Sequence, residues 1–166
     1  ATAFQNIQDA QAGNTPSNLI FTGFTNLDRK TKGLKPGDFV ILAARPGVGK
    51  TALALNIAVN CLLKNKTVAV FNMEMTAPAL VKRMLAYLSG VTFESMDVRG
   101  QLSDSDIAKL YNAYTTLLGK ELYIDDYSMN HPSDILSKCR RLKREKGLDL
   151  VIVDYLQLME ADSKGR

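Results

Sequence analysis

Four runs of apolar residues alternate with stretches of helical periodicity along the chain. Phe39-Val40-Ile41-Leu42-Ala43, Thr67-Val68-Ala69-Val70-Phe71-Asn72, Leu122-Tyr123-Ile124-Asp125-Asp126 and Leu150-Val151-Ile152-Val153-Asp154 read as strands. They are continuous runs, not alternating patterns, which predicts a mostly parallel sheet covered by helices on both faces. Ala52 to Leu63 is apolar nearly all round and reads as a helix packed on that sheet. Thr76 is placed to cap a helix running to about Leu88, with Pro78 in its first turn and Leu80, Met84, Leu85 and Leu88 on its apolar side. Ser103 is placed to cap another, whose Ile107, Leu110, Tyr111, Tyr114, Leu117 and Leu118 are expected to face the core. Ser133 opens a last helix to about Lys146, ended by Gly147.

The N-terminal part is different. Residues 1–17 are small and polar, broken by Gly13-Asn14-Thr15-Pro16-Ser17, and read as a linker; residues 18–166 read as one domain. Thr25-Asn26-Leu27-Asp28 reads as a short helix start, and Gly33 to Asp38 turns the chain into the first strand.

Between the first strand and its helix lies Ala44-Arg45-Pro46-Gly47-Val48-Gly49-Lys50-Thr51. A strand, a glycine loop, Gly-Lys-Thr and a helix make the context of a phosphate-binding P-loop. Gly47 and Gly49 let the backbone curl so that N–H groups converge on an anion, and the helix N-terminus adds partial positive charge. Lys50 supplies a full charge for the β- and γ-phosphates, and Thr51 a hydroxyl for Mg²⁺. The usual pattern has glycine at the position of Ala44, where alanine serves if φ stays negative.

With 166 residues and a net charge of +4, the chain suits a globular domain, mildly basic and compatible with nucleic acid. Cys61 and Cys139 lack metal-binding or redox spacing and read as buried thiols of a reducing compartment. No apolar run approaches the ~20 residues of a membrane span, and no signal peptide opens the chain, so a cytoplasmic location is expected.

In an open α/β sheet ligands bind beyond the carboxyl ends of the strands, and three strands here end in acids. Asp154, after four apolar residues, fits the Mg²⁺-linked acid of a P-loop enzyme. Glu74, just after the second strand, is the leading candidate to activate water; Asp125 and Asp126 are the second choice, read as acids at the site rim. His131 reads as an exposed loop residue. Lys138, Arg140, Arg141, Lys143, Arg144 and Lys146 make the last helix basic, through either a solvated face or a phosphate or subunit contact.

With these residues placed, the chain resembles the C-terminal motor domain of the DnaB family of replicative DNA helicases, within the RecA-like P-loop ATPases. The resemblance rests on Thr22-Gly23-Phe24-Thr25-Asn26-Leu27-Asp28, the P-loop with its Ala44, Asn72-Met73-Glu74-Met75, Cys139-Arg140-Arg141-Leu142, and Asp154-Tyr155-Leu156-Gln157-Leu158. It implies an α/β RecA-like fold, with ATP held by Arg45, Pro46, Gly47, Val48, Gly49, Lys50 and Thr51. It implies Mg²⁺ at Thr51 and Asp154, with Glu74 and Lys50 catalytic. It also implies a homo-hexameric ring on single-stranded DNA at the replication fork, moving 5′ to 3′, with a primase and a helicase loader as partners and no membrane.

The resemblance further implies a longer natural chain, in which a sensor strand, DNA-binding loops and an arginine finger follow Arg166. The fold of the 166 residues is therefore expected to be incomplete at its C-terminal end. These residues alone are expected to bind nucleotide weakly, to hydrolyse little and to leave strand edges unpaired. Two other readings remain open. Another RecA-like ring ATPase, such as a recombinase, is disfavoured by the block after Asp154. A nucleotide-binding assembly module without turnover is disfavoured by Glu74.

Overall fold

A computed structural model describes residues 19–127 and 131–154. The predicted linker and the block after Asp154 lie outside the described residues. The elements run α1 (Thr25–Thr31), α2 (Lys50–Leu63), β1 (Val68–Asn72), α3 (Ala77–Ser89), a 3₁₀ turn (Glu94–Met96), α4 (Asp104–Leu117), β2 (Leu122–Asp125), α5 (Pro132–Glu145) and β3 (Leu150–Asp154). Three strands form a parallel sheet in the order β2-β1-β3. Register pairs Val68 with Leu122 and Leu150, and Asn72 with Asp154, so the strand-end acids share one edge.

Both faces of the sheet are covered, as the continuous apolar runs predicted. Side chains alternate across β1. Val68 and Val70 pack with Leu55, Ala58, Val59 and Leu62 of α2 and Leu80 and Met84 of α3. Ala69 and Phe71 pack on the other side with Ile135, Cys139 and Leu142 of α5. All five residues of β1 are buried, as the middle strand requires.

Two predicted packings are corrected. Phe39-Val40-Ile41-Leu42-Ala43 forms no strand, and Phe39 and Ile41 are 79% and 70% exposed. A strand needs a neighbour's N–H and C=O groups. Among the described residues, no strand pairs with this segment. On α4, Ile107, Tyr111, Tyr114 and Leu118 face outward instead of into the core, with Tyr111 66% exposed. Ala113 is buried there and Leu117 packs against the main core. A small residue at the seam lets α4 lie close to its neighbours, and the larger apolar side chains fall on its flanks. Ser103 does cap α4, in a reciprocal capping box with Asp106.

The Thr22–Asp28 segment is a structural clasp. Asp28 accepts hydrogen bonds from the Thr22 amide (2.8 Å), the Thr22 hydroxyl (2.6 Å) and the Gly23 amide (3.0 Å). Asn60 of α2 donates to the Thr22 carbonyl at 2.8 Å, tying the clasp to the P-loop helix. Gly23 has φ +84°, and a Cβ there would lie 2.3 Å from Asn60 Nδ2. Glycine is required on both counts.

Candidate functional site

The site begins at the N-terminus of α2. Gly47 and Gly49 take φ of +78° and +100°, the left-handed conformations that turn the loop back on itself. Gly49 is the N-cap residue without a side chain to cap the helix, so the first amides of α2 have no side-chain acceptor from the cap. This is the anion-ready helix start that the sequence pattern predicts. Residues Ala44 to Gly49 are exposed, and the loop is held from its C-terminal side. Leu55, Ala58, Val59 and Leu62 anchor α2 against β1, which fixes Lys50 and Thr51 above the sheet edge.

Asp154, at the carboxyl end of β3, meets both of them. The Thr51 hydroxyl donates to Asp154 Oδ2 at 2.5 Å, and Lys50 Nζ lies 3.1 Å from Asp154 Oδ1. Asp154 is buried, so its charge needs these partners. Asn72 adds a third contact, Nδ2 donating to Asp154 Oδ2 at 3.4 Å. Glu74 lies two residues beyond Asn72 at the same edge, and its side chain is exposed. Lys50, Thr51 and Asp154 are thus brought together from positions far apart in sequence, with Glu74 on the adjoining turn.

The other acids have different partners. Asp126 accepts from the Ala77 amide at 2.7 Å and so caps α3, the role expected of Thr76, whose side chain makes no capping bond. Asp125 pairs with Lys138 of α5 at 2.5 Å and accepts from the Tyr127 amide. His131 stands at the N-cap position of α5 and is half-buried rather than exposed. Cys61 is buried as expected, and burial pushes its thiol up to about 11; Cys139 is only half-buried, and burial pushes its thiol up as well. Both cysteines are free thiols.

The chemistry of the donor set suits a magnesium nucleotide. Thr51 and Asp154 offer hard oxygen ligands, and Mg²⁺ completes its shell with phosphate oxygens and water instead of a protein cage. Among the described residues no cluster of three or more His, Cys, Asp or Glu side chains forms such a cage. No helix among them is long and apolar enough to cross a membrane. Sequence reasoning missed two residues: Asn72, a polar residue closing a buried strand just before Glu74, and Asp126 as a cap.

Residues 19–166 match the family model described as the DnaB-like helicase C terminal domain. The chain is 46% identical, over 89% of its length, to the replicative DNA helicase DnaB of Geobacillus stearothermophilus, of which it covers 32%. It is 42% identical, over 99% of its length, to the replicative DNA helicase DnaC of Bacillus subtilis (strain 168), of which it covers 39%. The chain thus spans about a third of the length of the curated relatives it matches. Its fold is similar to a DnaB-like replicative helicase solved for its interactions with primase, with TM-score 0.87 and 31% identity over 99% of this chain and 41% of that one. It is also similar to a second solved structure, of an ATPase domain, with TM-score 0.84 and 29% identity over 100% of this chain and 61% of that one.

Proposed function

The chain belongs to the family of DnaB-like helicase C-terminal domains, and from that premise we propose that it is part of the ATP-hydrolysing motor of a replicative DNA helicase. The observation that carries the proposal is the joining of Lys50 and Thr51 to Asp154, across the N-terminus of α2 and the carboxyl end of β3. That is the arrangement a phosphoryl-transfer site needs. The amides of the Gly47–Thr51 turn cradle phosphate oxygens, and the Lys50 ammonium is released from Asp154 to the terminal phosphates. Thr51 and Asp154 would hold Mg²⁺, which would supply positive charge against the phosphate oxygens. Glu74 takes a proton from the attacking water.

The wider assignment rests on the relatives. Single-stranded DNA as track, a homo-hexameric ring and 5′ to 3′ movement are part of the proposal, and membership of the family supports them. A primase partner is supported by the similar helicase solved for its interactions with primase. A helicase loader and a cytoplasmic location rest on the resemblance alone. A strand-displacement assay run beside a strand-exchange assay on the full-length protein tests the reading. ATP-dependent displacement that disappears in Lys50→Ala is expected. Strand exchange without displacement would place the protein with the recombinases, and no phosphate release at all would make it a nucleotide-binding assembly module.

A further inference from the structure

We propose that Asn72 is a positioning residue that sets the Glu74 turn and ties it to Asp154; this rests on the reading of Glu74 as the water-activating acid. Asn72 is 1% exposed and ends β1, in register with Asp154. Both ends of its carboxamide are used. Oδ1 accepts from the Glu74 amide at 2.9 Å and from the Met75 amide at 2.6 Å. Nδ2 donates toward Asp154 Oδ2 at 3.4 Å. The orientation of the amide follows from its neighbours, since two N–H groups need an oxygen and a carboxylate needs a donor.

An asparagine side chain that captures amides two and three residues on forms a local turn of fixed shape. Here that turn carries Glu74 off the sheet. The same side chain contacts the acid that holds Lys50 and Thr51, and the Met73 amide donates to the Asp154 carbonyl at 3.0 Å beside it. The two acids of the site are thus linked through one buried carboxamide. A shift of the Glu74 backbone by a fraction of its hydrogen-bond length would misplace the base, whereas Asn72 reaches Lys50 and Thr51 of α2 only through its long contact with Asp154. The effect belongs more on turnover than on nucleotide binding.

The test uses the full-length protein with N72L, close in size but without polar atoms, and N72S, whose hydroxyl makes the same kind of turn more weakly. Three quantities are measured: kcat and KM for ATP, affinity for a fluorescent ADP, and hydrogen exchange at the Glu74 and Met75 amides without nucleotide. In N72L kcat is expected to fall about tenfold or more with ADP affinity within about threefold of wild type, and both amides are expected to exchange faster. N72S should lie between. The proposal is overturned if N72L keeps wild-type kcat, or if the two amides exchange no faster. It is also overturned if N72L folds and loses turnover only in proportion to ADP affinity. Should N72L lose its cooperative melt, N72S decides alone: intermediate amide exchange with lowered kcat supports the proposal, and wild-type values of both overturn it. Glu74→Gln, measured in parallel, separates the two claims. If it retains activity, the reading of Glu74 fails; if it is inactive while the Asn72 variants are normal, only the positioning role fails.

Discussion

Lys50 Nζ stands 3.1 Å from Oδ1 of Asp154, joining the first residue of α2 to the last residue of β3. Their ion pair spans the edge of the sheet where phosphates would enter. Asp154 is buried and Lys50 is partly exposed, so the lysine is the member able to move to a ligand. Lys50→Ala leaves the amide cradle intact and removes a full charge. Nucleotide affinity should fall and turnover should fall further, because charge on the terminal phosphate matters most in the transition state. Unchanged ATPase activity of the full-length variant would remove the P-loop assignment.

Asp154 has a separate role. Asp154→Asn keeps a side chain of the same shape beside Thr51, but its amide cannot supply an anionic oxygen. Activity of the full-length variant should become poorly responsive to Mg²⁺. A magnesium titration that matches wild type would exclude Asp154 from the metal.

The acid that follows β2 has a structural role. Asp126 caps α3 through the Ala77 amide. Asp126→Ala should lower stability by about 1 kcal/mol, the usual effect of losing a cap, and leave kcat nearly unchanged. A large loss of turnover with an unchanged melting temperature would return Asp126 to the catalytic candidates.

The clasp at Asp28 gives a pH dependence with a defined sign. Burial raises the Asp28 carboxyl, but hydrogen bonds from the Thr22 hydroxyl and the Thr22 and Gly23 amides, with the charge of Lys64, outweigh it and hold the group below its ordinary value. A folded-state value lower than the unfolded one contributes stability above the unfolded value, near about pH 3.9, and loses it as pH falls through the folded value. Denaturation of the full-length protein at a series of pH values should show Asp28→Asn less stable than wild type at neutral pH. The gap should close below about pH 4. A gap that persists or widens in acid would contradict the clasp. Gly23→Ala should be destabilising at every pH, by about 1–2 kcal/mol for the left-handed backbone alone and more for the collision with Asn60.

Much of this was legible in the sequence because it was local. The run of four apolar residues in β1, Val68 to Phe71, the Ser103-Asp106 capping pair and the glycines of the P-loop each specify their own conformation. Placing Asp154 beside Thr51 required only parallel strands with acids at one end. Other features depended on neighbours. Phe39 to Ala43 has the composition of a strand, but pairing is set by what lies beside it. The Tyr111 and Tyr114 positions have helical spacing, but which flank of α4 meets the core is decided by Ala113 at the seam. The role of Asn72 was hidden because a lone polar residue at a strand end has no distinctive pattern; only the register with Asp154 reveals it.

The most direct measurement is phosphate release by full-length Glu74→Gln, set against its affinity for ATP. Glutamine keeps the shape of the side chain but cannot accept a proton from water. The account predicts ATP binding close to wild type with kcat lowered by about 10² or more. Release at the wild-type rate, or a greater loss in Asp126→Asn than in Glu74→Gln, would contradict it.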